Sequence, residues 1–298
     1  MTSIVAATYL TAARTAAGSV IATDICLRHL HAIHNGNNQN PIPPIQLVLF
    51  GAGLQAEMYI RCLAQIPALW ENLKHITIIN RSIERGEILS NTARQFLAQN
   101  QTHEGDQDER DASIQQAQAN HQRNTSSSSL SSSSSLPTIK CIPLSNEKLV
   151  QMAVGKANVI VTATNASKPL FDGDWVQSPC HISGVGSYQP NTEEVCSKFV
   201  KERCITMMDT KDALNVGDLK LITEDSHDEV VGLLGDALAG EANFPSNSFL
   251  NNNTQMKVKG YCTFYKSVGT AIQDIITAQK VVQTAFSKGI GTNVDMSL

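Results

Sequence analysis

Residues 45 to 80 constrain this chain more than any other stretch. Ile45-Gln-Leu-Val-Leu-Phe50 is a short apolar run of strand type, and it leads directly into Gly51-Ala-Gly53-Leu-Gln-Ala56. A helix-forming stretch follows from about Gln55 to Gln65, and His75-Ile-Thr-Ile-Ile-Asn80 is a second strand. Strand, glycine turn, helix and strand make a βαβ unit, so the two strands lie parallel. The glycine pattern is GxGxxA. Gly51 permits the tight turn, Gly53 lets the backbone approach a pyrophosphate, and Ala56 lets the helix pack close to the sheet. The helix N-terminus then offers free N–H groups and the positive end of its dipole to an anion. A glycine turn without a ligand is the bland alternative, and the strand–turn–helix setting argues against it.

The end of the second strand selects the cofactor. NAD sites usually place Asp or Glu there to bond the ribose 2′-OH. Here the residues are Asn80-Arg81-Ser82. No carboxylate repels a 2′-phosphate, Arg81 can pair with one, and Ser82 adds a hydroxyl donor. The expectation is NADP(H) in preference to NAD(H). The competing reading of Arg81 is a solvated loop charge.

The rest of the chain continues the alternation. Tyr9 to Ile33 is Ala-rich with helical spacing, and Asn35 to Pro44 is a breaker-rich linker. Arg85–Ala98 and Asn146–Val154 read as helices. Thr138–Ile142, Asn158–Thr162, Cys180–Val185, Arg203–Met208 and Gly260–Phe264 read as strands, before a long helix from Val268 to about Phe286. Near-continuous apolar strands separated by helices predict an α/β fold, a Rossmann-like parallel sheet with helices on both faces. Residues 99–137 do not fit that pattern. They are almost without apolar residues and rich in serine, which predicts a disordered insertion within the Rossmann-like domain. The expected division is a helix at 1–34 shared with a second domain, a dinucleotide-binding domain at 45–260, and a strand and helix at 261–298 returning to the second domain.

Composition removes several classes. There are 23 Lys+Arg against 27 Asp+Glu, with no basic stripe, so nucleic-acid binding is not expected. No apolar run reaches the roughly 20 residues of a membrane span. The seven cysteines are widely spaced with no CxxC pair, so neither a disulfide framework nor a zinc site is expected. A reducing, cytoplasmic setting follows. Met1–Leu30 has the Arg-bearing, acid-poor look of a transit peptide, but its periodicity favours an ordinary amphipathic helix. His31 and His34 share a helix face without a third ligand nearby, so no metal site is expected.

Several separate motifs together resemble the ornithine cyclodeaminase/mu-crystallin family. They are Leu10-Thr-Ala-Ala-Arg14-Thr-Ala-Ala17, the glycine turn, Asn80-Arg-Ser82, Val161-Thr-Ala-Thr164, His181-Ile-Ser-Gly-Val-Gly186, Asp209-Thr210 with Gly217-Asp218, and Phe264-Tyr-Lys-Ser-Val-Gly269. The resemblance implies a Rossmann-like domain plus a second domain for substrate binding and homodimerisation. The activities it implies are cyclisation of ornithine, amino-acid dehydrogenation and imine reduction. By the same resemblance Arg14 contacts the cofactor phosphates, and Gly51, Gly53, Leu54 and Gln55 form the phosphate turn. Thr162 and Thr164 end a parallel strand, while Val185, Gly186 and Ser267 belong to loops flanking the nicotinamide. Lys266 is a weaker candidate than Ser267, because lysines are usually exposed.

Two departures shape the functional expectation. Cyclodeaminases carry a catalytic Asp where this chain has Tyr188, and a phenol with a pKa near 10 is a poor substitute for a carboxylate base. Tyr188 either donates a proton or lines the pocket. The family also has a segment before the Leu10 motif that supplies substrate-binding Arg and Lys, and the sequence begins nine residues before that motif. An incomplete second domain is therefore expected. The expectation is an NADPH-dependent oxidoreductase reducing a C=N bond (a ketimine) of a small amino-acid-derived substrate. Next come a non-catalytic NADPH-binding or truncated inactive relative and, last, an ornithine cyclodeaminase.

Overall fold

A computed structural model describes residues 7–35, 42–99, 136–222, 230–242, 244 and 261–291. In chain order these residues form α1 (Ala7–Asn35), β1 (Ile45–Phe50), α2 (Leu54–Leu63), the short α3 (Pro67–Trp70) and β2 (Leu73–Asn80). Then come α4 (83–99), β3 (Thr138–Pro143), α5 (Glu147–Val154), β4 (Val159–Thr162) and β5 (His181–Gly184). The chain continues with α6 (Ser197–Arg203), β6 (Cys204–Met208), β7 (Val230–Leu233), α7 (Leu234–Ala239), β8 (Cys262–Lys266) and α8 (Ala271–Ser287).

The strands form one eight-stranded sheet in the order β3-β2-β1-β4-β5-β8-β6-β7, and every pairing is parallel. Alternation along β1 shows why. Leu47 and Leu49 enter one core with Ile76, Ile78 and Val161, while Val48 and Phe50 enter another with Ile160, Ile182 and Phe264. Both faces are apolar, so both need helices over them. α1, α2 and α4 cover the first face. α5 and α6 cover the second. α1 has 29 residues and is about 44 Å long at 1.5 Å per residue. That length carries it from α2 to the strands β6–β8, where Ala22, Cys26 and Leu30 pack on Met207 and Tyr265.

One boundary expectation is corrected. The strand after residue 261 was expected in a second domain, but β8 lies inside the sheet between β5 and β6. All five of its residues are buried, as a central parallel strand requires. Most of the linker at 35–44 and nearly all of the serine-rich stretch at 99–137 lie outside the described residues. No helix among the described residues is long and apolar enough to cross a membrane.

Candidate dinucleotide site

The chain runs outward through β1, β2 and β3, then returns to start β4 on the other side of β1. At such a reversal the loops leave in opposite directions and open a crevice at the carboxyl ends of the strands. The crevice here is a cleft of about 530 Å³. Its floor is Gly51, Ala52 and Gly53, one wall is Asn80, Arg81, Ser82 and Arg85, and the opposite wall is Ala163 to Ser167.

The glycines behave as the sequence predicts. Gly51 has φ +104°, and a side chain there would collide with the Ala163 carbonyl. Gly53 caps α2 without any side-chain hydrogen bond to the first turn. A Cβ on Gly53 would find no protein atom within 4 Å. The protein does not fill that space, and the uncapped amides of α2 face an open cradle suited to a phosphate. Ala56 is fully buried against the sheet. Leu54 and Gln55 begin α2 but do not line the cleft.

At the end of β2, Asn80 Nδ2 donates to the Ser82 carbonyl at 2.8 Å and shapes the turn. The Ser82 hydroxyl donates to Glu84 at 2.7 Å and accepts from the Arg85 amide at 3.3 Å. Arg81 and Arg85 are exposed and both line the cleft. Sequence reading missed Arg85, which stands in the first turn of α4 just after the Arg81 loop.

The opposite wall is held by a buried carboxylate. Glu194 is fully buried. One of its oxygens accepts from the Thr164 amide at 2.6 Å and hydroxyl at 2.7 Å. The other accepts from the amides of Gly186 at 2.7 Å and Ser187 at 3.0 Å. Burial raises the Glu194 pKa above its ordinary value, while the Thr164 hydrogen bonds and the Lys266 charge pull it back down. The Val185 amide donates to the Thr162 carbonyl at 2.9 Å. Thr162 is buried, and its hydroxyl has no partner among the described residues.

Ser267 donates to Asp209 at 2.9 Å, and the same carboxylate accepts from the amides of Val268 at 3.1 Å and Gly269 at 2.7 Å. Asp209 therefore fixes the turn between β8 and α8. The sequence does not point to Glu194, and it gives Asp209 only as part of a family motif without a role, because each acts on backbone distant in sequence.

Like Leu54 and Gln55, the candidates Thr162, Val185, Gly186 and Ser267 do not line the cleft, and three more sit elsewhere than expected. Arg14 does not line the cleft: it donates to Asp274 at 2.8 Å and Gln273 at 3.1 Å, beside the Ser267–Gly269 turn. Lys266 is not exposed. It has 0% exposure and pairs with Asp218, also at 0%, over 2.8 Å. Tyr188 is 59% exposed and does not line the cleft.

Residues 142–289 match the Ornithine cyclodeaminase/mu-crystallin family. The chain belongs to that family. A Dictyostelium discoideum protein described as an uncharacterized cyclodeaminase is 25% identical over 320 residues, covering 99% of this chain and 69% of its own length. A Bacillus cereus Delta(1)-pyrroline-2-carboxylate reductase is 31% identical over 148 residues, covering 48% of this chain and 42% of the reductase. The chain thus aligns with less than half the length of that curated reductase. Among solved structures, Thermococcus litoralis Delta(1)-pyrroline-2-carboxylate reductase with NADH and L-proline superposes with a TM-score of 0.61. That superposition has 21% identity and covers 96% of this chain and 68% of the other, and the likeness is one of fold.

Proposed function

We propose that this family member is an NAD(P)-dependent oxidoreductase that reduces a C=N bond of a small amino-acid-derived substrate, with NADP(H) preferred. The observation that carries the reading is the cradle at Gly53. An uncapped helix start opens there into space that no protein atom fills, at the reversal point of a parallel sheet. The bound cofactor supplies the hydride. The amides at the start of α2 bind its pyrophosphate. Arg81 and Arg85 form a pair of cations at the end of β2; no carboxylate lines the cleft there, although Glu84 beside it takes the Ser82 hydroxyl as its donor. Thr164, held by Glu194 with Gly186 packed behind it, forms the inner wall, where the reactive ring would be seated. The imine class is supported by the relatives named above.

The same reading places the protein in the cytoplasm as a homodimer. The exposed apolar face of α8, with Ile272, Ile275 and Ile276, supports an interface. A second reading, a cofactor-binding protein without turnover, is favoured by the outward position of Tyr188, where the resemblance expects an acid.

Titration of the purified protein with NADPH and NADH, followed by nicotinamide fluorescence, tests the reading. NADPH is expected to bind at least about tenfold more tightly, and Arg81→Ala with Arg85→Ala to remove that preference. A tenfold preference for NADH would falsify the NADP(H) assignment. NADPH oxidation with Δ1-pyrroline-2-carboxylate supports the reductase, and binding without turnover on a panel of cyclic imines supports the second reading.

A further inference from the structure

Beneath the inner wall of the cleft lies a chain of three charges with no solvent contact: Lys266, Asp218 and Glu194, each at 0% exposure. Lys266 ends β8, and its Nζ donates to Asp218 Oδ2 at 2.8 Å. Asp218 stands in the 3-10 turn Gly217–Leu219, and its Oδ1 accepts from the amides of Glu194 at 2.7 Å and Val195 at 3.1 Å. Glu194 then spans the ends of β4 and β5 through Thr164, Gly186 and Ser187.

Such a cluster does not explain itself by stability. Two carboxylates and one ammonium out of water cost more than a packed apolar patch of the same volume. Removing one member leaves the others buried and uncompensated. What the cluster does accomplish is geometric. Five of its seven hydrogen bonds fall on loop backbone at the carboxyl edge of the sheet. Gly186 is pressed so closely on Thr164 that any side chain at 186 would collide with the Thr164 backbone. Thr164 itself faces the cleft. Displacement of the 194–195 backbone therefore moves the cleft wall.

We propose that Lys266, acting through Asp218 and Glu194, is a positioning residue that sets the Thr164 wall of the cleft, with Gly186 packed behind it, and so the seat of the reactive end of the dinucleotide. The inference rests on the dinucleotide reading of the cleft. It assigns a task to a lysine that touches neither the cleft nor a ligand. It also separates the two ends of the cleft, because the Arg81–Arg85 wall has no member of this cluster.

The separation supplies the test. NADPH spans the whole cleft, whereas adenosine 2′,5′-bisphosphate reaches only the arginine end. In Lys266→Met, NADPH affinity is expected to fall by about tenfold or more, with bisphosphate affinity within about twofold of wild type. Lys266→Met combined with Asp218→Asn, which removes the stranded carboxylate, is expected to recover part of the loss. Glu194→Gln keeps the volume without the charge and should show the same split, so it serves if Lys266→Met does not fold. Parallel loss of both ligands, or no loss of either, overturns the positioning role. If wild-type protein binds neither ligand, the dinucleotide reading fails and this inference goes with it.

Discussion

His181 shows how much a single residue's behaviour depends on neighbours that local sequence does not name. It lies in β5, fully buried, with Nδ1 2.9 Å from the Thr263 hydroxyl on β8 and no partner at Nε2 among the described residues. Burial lowers its pKa from 6.5 to about 3. The unfolded chain takes up this proton near pH 6.5, and the native state not until about pH 3. Stability from the neutral ring is therefore complete above pH 6.5 and is lost as pH falls through that window. His181→Gln should reduce the slope of unfolding free energy against pH there by one proton, about 1.4 kcal/mol per pH unit. Urea unfolding across a pH series measures it, and an unchanged slope would count against the buried neutral ring. Lys266 teaches the same lesson. Sequence statistics make a lysine exposed, yet its partner Asp218 lies 48 residues away and is itself buried.

At the scale of elements, α1 and α8 come from opposite ends of the described chain and meet through Arg14 and Asp274, 260 residues apart. Arg14 is 10% exposed and Asp274 38%. Solvent screens half of this pair, so Asp274→Ala should cost only about 1 kcal/mol in urea unfolding. A loss several times larger would mean that α8 is held to the body mainly by this contact. Most elements were legible because their apolar spacing is local: β1 occupies the expected residues, and α1, α2, α4 and α5 differ by one or two at their ends. β7, α6 and α7 were not foreseen. They have four, seven and six residues, too few for a periodicity to declare itself. β8 was recognised as a strand but assigned to the wrong unit. A strand's pattern reports how buried it is and does not name the strands beside it.

The whole molecule is a doubly wound sheet whose proposed site is assembled from both sides of the reversal point. A ligand that touches both sides ties them together in the native state only. NADPH at about 100 times its dissociation constant should raise unfolding free energy by about 2.7 kcal/mol, and thermal unfolding with and without ligand reads this directly. A cofactor-independent melting temperature would argue that the cleft does not bind the dinucleotide.

Sequence alone determined the features that depend on neighbours within a turn or two. These are the strand and helix periods, the Gly51–Ala56 turn, the absence of a carboxylate at 80–82 and the motif order that marked the family. Each follows from backbone geometry or side-chain chemistry at fixed short spacing. Tertiary structure decided the rest: the place of β8 in the sheet, the removal of Arg14 to α8, and the burial of Lys266 with Asp218 and Glu194. The reason is physical. The energy of a buried charge depends on which opposite charges and donors surround it. Here those partners come from three strand ends and two loops that only the folded sheet brings within hydrogen-bond distance.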